Sequence, residues 1–123
     1  MVEKIEADRL HRLIQIGIAL SAERDINRLM EMILLEAKEL SNADGGTLYI
    51  RTDDDSLKFE IIRTDSLNIA MGGTTGKRIN FPPVNMYDPE TLKPNLKQVA
   101  SAAALTSKSI NIADAYEGQK YDF

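Results

Sequence analysis

Few side chains in this chain have the type and spacing that catalysis requires. His11 is the only histidine and there is no cysteine, which excludes a histidine-ligated metal cluster, a Ser-His-Asp triad and thiol chemistry. Hydroxyl residues such as Thr74, Thr106 and Ser109 have no neighbouring base to activate a nucleophile. We therefore predict that the chain is not an enzyme and holds neither a metal ion nor another cofactor.

Two polar stretches share residue types with known binding loops. The acidic run Asp53–Asp55 lacks the glycine and the terminal glutamate of a calcium loop, and it joins two alternating segments, which favours a hairpin turn. The glycine-rich run Gly72–Arg78 has Met71 where a phosphate-binding loop has its first glycine, and Arg78 where that loop has serine or threonine. It is predicted to be a flexible turn. A contribution of its backbone N–H groups to a ligand pocket is the alternative.

Three further polar residues occupy positions suited to ligand binding. Arg63 ends an alternating apolar row on a predicted strand, so it is the cation placed to meet an anionic ligand. A salt bridge at the strand end is the alternative. Asn111 is either an ordinary strand residue or a donor and acceptor for a ligand. Asp114 either caps a short turn over residues 115–118 or accepts a hydrogen bond from a ligand.

The elements that would position these residues begin with two helices. Residues 2–21 carry apolar side chains at spacings of three and four, which predicts one apolar stripe on a helix. Ile16 lies off that stripe, which suggests a second buried contact such as a partner subunit. Asp25 fits the N-cap of a second amphipathic helix over residues 26–40. The first stripe comprises Ile5, Leu10, Leu13, Ile14, Gly17, Ile18 and Leu20, and the residues outside the second apolar face are Arg28, Glu31, Glu36 and Glu39.

The spacing of the apolar residues then changes from the three and four of a helix to the two of a strand. Residues 47–52 and 57–64 alternate and predict an antiparallel hairpin, followed by irregular chain up to residue 76 and a short strand over residues 77–81. Four prolines predict that residues 82–94 form a long binding loop or lid. A third helix over residues 95–107 and a strand over residues 109–112 follow. This order predicts an α+β fold, an antiparallel sheet with helices packed on one face.

Composition limits the partners. Apolar residues make up 43% and charged residues 28% of the chain, the balance of an ordinary globular protein. The net charge of −4 and the lack of a basic stripe predict that neither nucleic acid nor an anionic membrane surface is a partner. The N-terminus lacks the apolar run of a signal peptide, and no apolar stretch is long enough to span a bilayer. We predict a cytoplasmic location.

Three stretches of the sequence resemble the GAF family of regulatory domains. Leu29–Ile50, LMEMILLEAKELSNADGGTLYI, is similar to the second helix, acidic turn and first strand of the family. Asn111–Tyr116, NIADAY, is similar to the family's NIxDAY motif at a strand end. Residues 81–116 resemble GAF domains that precede HD-GYP-type metal-dependent phosphohydrolases, and GAF domains of some nucleotide cyclases and histidine kinases. The resemblance spans nearly the whole chain from Leu10 on.

The resemblance implies a GAF/PAS-like, profilin-type architecture of which residues 1–123 are a part. Residues 2–21 would form a signalling and dimerisation helix. Residues 25–123 would form a body truncated before its last strands, because family members continue past the position of Phe123. The implied pocket lies between the sheet and the face formed by the proline-rich loop and the third helix. Its implied ligand-binding residues are Tyr49, Phe59, Arg63, Asn68, Val99, Asn111, Asp114 and Tyr116.

The function implied by the resemblance is that of a sensor module in signal transduction. Such a module binds a small molecule, here unidentified, forms a homodimer through the N-terminal helix, and controls a downstream effector domain such as an HD-GYP phosphohydrolase. A nucleotide cyclase or histidine kinase is the alternative effector. A structural dimerisation domain without a ligand is the alternative of another class. GAF-like methionine sulfoxide reductases depend on cysteines, which this chain lacks.

Overall fold

Two helices open the chain in the computed structural model, which describes residues 2–115 and 120–121. Helix α1 spans Val2–Ala22 and helix α2 spans Ile26–Leu40, so both predicted helices are confirmed. Asp25 caps α2, since its carboxylate accepts hydrogen bonds from the backbone N–H groups of Asn27 and Arg28 at 2.9 and 3.3 Å. These are two of the donors that a helix leaves unpaired at its start.

Four strands and a third helix complete the described part of the chain. The strands are β1 (Gly45–Arg51), β2 (Ser56–Thr64), β3 (Ile69–Gly72) and β4 (Val84–Asn85), and helix α3 spans Val99–Thr106. The strands form a four-stranded antiparallel sheet in the order β1-β2-β3, with β4 also pairing with β2. The α+β class is therefore confirmed. The acidic run forms the predicted hairpin turn, in which the Thr52 N–H donates to the Ser56 carbonyl at 2.8 Å.

The region after β2 differs from the prediction in two ways. Residues 69–72, expected to be irregular, form β3, with Ile69 opposite Thr64 and Gly72 opposite Ile61. Ile69 is the one strong strand former in the β3 sequence Ile-Ala-Met-Gly, so pairing with β2 decides the conformation. The strand predicted over residues 77–81 is wrong, because the chain there is irregular. The prolines that follow at positions 82 and 83 limit the extension of any strand.

The predicted end of the chain needs correction as well. Helix α3 begins at Val99 rather than Asn95, because the Asn95 side chain is used in a turn before it. Its carboxamide oxygen accepts from the N–H groups of Lys97 and Gln98 at 3.2 and 3.3 Å, a turn that competes with the helix. The strand predicted over residues 109–112 is not formed, and no described residue pairs with its backbone.

The chain divides into two compact units. The first contains residues 1–48 and 60–79, and its most buried apolar side chains are Leu34 and Ile61. In this unit α2 packs closely on β1, because a Cβ added to Gly46 would lie 2.8 Å from the Leu34 side chain. The second unit contains residues 49–59 and 80–123, and its most buried apolar side chains are Leu57, Met86 and Ala102.

The two helices of the first unit expose much of their apolar surface. On α1 the predicted stripe remains uncovered, since Leu10 is 60% and Ile18 65% exposed. The half-buried residues of α1 include Ile16, which lines a groove with Met32 of α2. The prediction that Glu31 of α2 lies outside the buried face is wrong, because its side chain is buried.

Candidate functional site

A cavity in the second unit lies against helix α3. The helix ends at Ser107, which has the left-handed conformation with φ 55°, and the chain leaves the helix there. Residues 108–112 then line a cavity of about 620 Å³ together with α3. We call it the α3 cavity. The residues that line it are Leu96, Ala102, Thr106, Lys108, Ser109, Ile110, Asn111, Ile112, Lys120 and Tyr121.

The wall of the α3 cavity combines apolar and hydrogen-bonding groups. Aliphatic side chains come from Leu96, Ala102, Ile110 and Ile112. The polar side chains are hydroxyls, the Asn111 carboxamide and two lysine ammonium groups, and no described lining residue is acidic. An apolar pocket with a few convergent polar groups is the usual form of a small-molecule site.

The implied site residues of the second unit have different positions relative to this cavity. Asn111 lines it. Val99 is half-buried on α3 but does not line it, and Asp114 is exposed beyond it. Tyr116 lies outside the described residues. Of the three that the structure describes, only Asn111 lies in the wall.

Tyr49 and Phe59, also in the second unit, form an aromatic cluster. Their ring centroids are 4.7 Å apart, and the centroid of Phe81 is 5.5 Å from that of Phe59 in an edge-on arrangement. Burial raises the pKa of the Tyr49 hydroxyl above its ordinary value. Phe59 and Phe81 line a second cavity of about 830 Å³ together with residues of the loop predicted to be a binding loop or lid, 82–94, and with residues 95–98 after it. We call this cavity the proline groove.

Arg63 and Asn68 belong to the first unit and line neither cavity. Of the two interpretations of Arg63, the structure shows the ion pair, because its Nη2 donates to Glu31 Oε1. The Arg63 Nε is buried and has no hydrogen-bond partner among the described residues. Asn68 is exposed in the turn between β2 and β3, with φ 53°.

The glycine-rich run is held in place by the same carboxylate. The Thr74 hydroxyl donates to Glu31 Oε2, and the Thr75 hydroxyl donates to the Gly72 carbonyl at 2.7 Å. The chain after it is irregular rather than helical, whereas a phosphate-binding loop opens a helix. The run therefore forms a turn, as predicted, and the hydrogen bond from Thr74 fastens that turn to α2.

The sequence reasoning missed Lys108, Lys120 and Glu31. The two lysines occupy exposed positions in irregular chain, where charged residues are usually solvated, and only the cavity brings them together. Glu31 lies on the polar side of the helical period, so its burial follows from the partner elements alone. The sequence feature closest to Lys108 is the alternating run Ser109–Ile112, whose polar and apolar side chains line the same cavity.

Two negative findings concern the described part of the chain. It contains no group of three or more histidine, cysteine, aspartate or glutamate residues that could hold a metal ion. It contains no helix that is long and apolar enough to cross a membrane.

Comparison of the chain with protein-family models, with curated proteins and with solved structures finds no match.

Proposed function

We propose that this chain is a GAF-type sensor module of a signal-transduction protein, which binds a small organic molecule in the α3 cavity. The observation that carries the proposal is the cavity itself. Its volume of about 620 Å³ lies within the roughly 300–1,000 Å³ of ligand pockets. It also contains Asn111, one of the residues that the family resemblance implies for ligand binding.

The wall of the cavity supports a sensing role. The backbone of residues 108–112 forms no hydrogen bond with another described residue, and segments with few internal bonds have low local stability. A ligand bound against such a segment would favour one of its conformations over others. The signal would then be a population shift, limited by the difference between the affinities of the ligand for the two states.

Pairing through α1 is the second part of the proposal. Leu13, Ile14 and Ile18 are each more than half exposed, and a Cβ added to Gly17 would meet nothing within 4 Å. Leu13, Gly17 and Leu20 recur at close to heptad spacing, as in a parallel coiled coil. A large exposed apolar surface commonly marks an interaction site, and the occupant proposed here is α1 of a second copy.

The wider setting follows from the resemblance. The effector is proposed to be an HD-GYP metal-dependent phosphohydrolase acting on a cyclic dinucleotide, with a nucleotide cyclase or a histidine kinase as alternatives. The catalytic centre would lie in that effector and not in this chain. The location is proposed to be cytoplasmic, with neither nucleic acid nor membrane as a partner of this module, in keeping with its net charge of −4.

A purely structural dimerisation domain is the second candidate function. The exposed apolar stripe of α1 favours it, because that surface needs a partner whether or not a ligand is bound. The two candidates differ in the α3 cavity, which has a role only in the sensor.

A thermal-shift screen distinguishes the candidates. Cyclic nucleotides, amino acids and 2-oxo acids are tested on the whole chain, and a true ligand raises the Tm increasingly with its concentration. In Ser109→Trp the new indole occupies the wall of the α3 cavity, and the shift should disappear. In the control Thr47→Trp, which changes an exposed strand residue of the first unit, the shift should remain. If no compound raises the Tm, the structural candidate replaces the sensor.

A further inference from the structure

We infer that the ligand of the α3 cavity is an organic anion, whose carboxylate or phosphate group is bound by Lys108 and Lys120 while its apolar body lies against the aliphatic wall. This inference depends on the proposed function for the site and adds the chemical class of the ligand. Neither lysine was predicted from the sequence to bind a ligand, but the charge, the hydrogen-bonding groups and the apolar wall of the cavity favour an organic anion next to them.

The charge of the cavity is opposite to that of the chain. The chain has 19 acidic and 15 basic residues, yet the described residues that line the α3 cavity include two lysines and no carboxylate. The proline groove, by contrast, combines Asp88 with Lys93 and Lys97. A concave site lined by one sign of charge raises the local concentration of ions of the other sign. The wall that the described residues form around the α3 cavity therefore favours anions.

Neither ammonium group is paired with a carboxylate among the described residues. Lys108 and Lys120 are exposed, and neither forms an ion pair within the described part of the chain. The Lys120 ammonium lies 5.5 Å from the centroid of the Tyr121 ring, a cation–π distance that places the charge next to the cavity wall. Within the described part of the chain, a bound anion would not have to displace a carboxylate from these groups.

The remaining polar groups of the wall can also donate. Ser109 and Tyr121 carry hydroxyls and Asn111 carries an amide NH₂, so each can donate a hydrogen bond to an oxyanion. The Thr106 hydroxyl already donates to the Ala102 carbonyl at 2.8 Å. Hydrogen bonds to a charged acceptor are roughly twice as strong as neutral ones. A ligand rich in acceptors matches this set better than a cationic or donor-rich ligand does.

The aliphatic wall decides that the anion is organic. Ala102 is 4% exposed, and Leu96, Ile110 and Ile112 extend the apolar surface around it. An inorganic ion would leave this surface in contact with water, whereas an aliphatic or aromatic body would cover it. Burying apolar area contributes about 25 cal/mol per Å² to binding before the entropic costs of association.

The test uses isothermal titration of the whole chain with matched probes. The probes are 1-naphthoate, 1-naphthyl phosphate, the neutral 1-naphthamide and inorganic phosphate. At least one naphthyl anion should bind about tenfold or more tightly than the naphthamide, the difference of a charge-assisted hydrogen bond. Its affinity should fall as salt is added. The naphthyl anion that binds more tightly identifies the charged group of the ligand as a carboxylate or a phosphate.

Variants connect the binding to the two lysines. Lys108→Ala and Lys120→Ala should each weaken binding of the preferred anion by at least about threefold, since each removes one charged donor near the surface. Lys108→Arg keeps the charge and should retain most of the affinity. Lys77→Ala removes an exposed lysine of the first unit and should have no effect. An unchanged Tm in the absence of ligand shows that each variant is folded.

Each negative binding result would contradict a different part of the inference. If the naphthamide binds as tightly as the anions, the anion class is wrong, while the cavity remains a small-molecule site. If inorganic phosphate binds as tightly as naphthyl phosphate, the apolar wall contributes nothing and the organic ligand is overturned. If none of the probes binds, the anion class is overturned, and the proposed sensor is then decided by the broader screen with Ser109→Trp.

Discussion

Glu31 is the buried carboxylate that connects three segments of the first unit. It is 8% exposed, and it accepts hydrogen bonds from Arg63 of β2 and from Thr74 of the glycine-rich turn. Gly73 lies so close that an added Cβ would be 3.3 Å from Glu31 Oε1. One side chain of α2 thus holds both the end of β2 and the turn after β3, and its loss should loosen the unit.

We expect Glu31→Ala to lower the free energy of unfolding by about 3–5 kcal/mol, the usual cost of removing one partner of a buried pair. The reason is that the Arg63 guanidinium, 23% exposed, would lose its counter-charge. Urea denaturation measures the change. Glu36→Ala is the matched control, because Glu36 pairs with Arg12 at the surface, where ion pairs contribute little. Equal effects of the two variants would contradict the role of Glu31.

Asp44 provides a pH-dependent contribution at the surface. Its carboxylate accepts hydrogen bonds from the Ser66 hydroxyl and the Ser66 N–H, and these lower the pKa of Asp44 below its ordinary value of 3.8. Because the folded-state pKa is below the unfolded one, the contribution is fully present above pH 3.8 and is lost as the pH falls through the lowered pKa.

Asp44→Asn should therefore be less stable than the natural chain at pH 6, and the difference should disappear at a pH below the lowered pKa. Urea denaturation at a series of pH values measures this difference. Asp53→Asn makes the same change of charge at another exposed aspartate and serves as the control. A difference that remains constant down to pH 2 would show that the hydrogen bonds to Ser66 do not depend on the charge of Asp44.

At the scale of elements, local patterns were sufficient for α1, α2 and the hairpin, whose signals lie within each segment. Asp25 caps α2 and the acidic run turns the hairpin, both as predicted. Non-local effects decided the rest. Strand β3 has one strong strand former, Ile69, and depends on pairing with β2. The alternating run Ser109–Ile112, by contrast, finds no partner among the described residues. Local patterns were also insufficient for the α3 cavity, because they predicted Asn111 as a ligand-binding residue but not Lys108.

Gly72 ends β3 in a conformation that other residues rarely adopt. Its φ is 77°, and an added Cβ would lie 2.0 Å from the Glu60 carbonyl oxygen, which is backbone and cannot move aside easily. Gly72→Ala should therefore lower the free energy of unfolding by more than about 1 kcal/mol. Gly76 has a similar φ of 75° with open space around it. Gly76→Ala therefore measures the cost of the positive φ without the close contact that Gly72→Ala adds. A comparable loss in both variants, measured by urea denaturation, would mean that the close approach at Gly72 contributes nothing.

At the scale of the whole molecule, eight of the fourteen exposed large apolar residues in the described part of the chain lie on the two N-terminal helices. On α1 they include Leu10, Leu13, Ile14 and Ile18, all more than half exposed. Gly17, between them, costs a helix about 1 kcal/mol relative to alanine, and nothing within its own chain explains that cost. A glycine at a helix seam allows a second helix to approach closely, so a pairing surface accounts for both features.

Substitution at Ile14 tests that surface directly. Ile14 is 53% exposed, so Ile14→Glu should leave the fold of a single chain intact. In a paired α1 it would bury an uncompensated charge, which is costly. We expect the dimer Kd to rise about tenfold or more, equivalent to roughly 1.4 kcal/mol, in sedimentation equilibrium. Leu67→Glu changes an apolar residue that is 68% exposed in the turn between β2 and β3, and it should not alter the Kd. A natural chain that sediments as a monomer at all concentrations, or an Ile14→Glu variant that dimerises as tightly, would show that α1 is not the pairing surface.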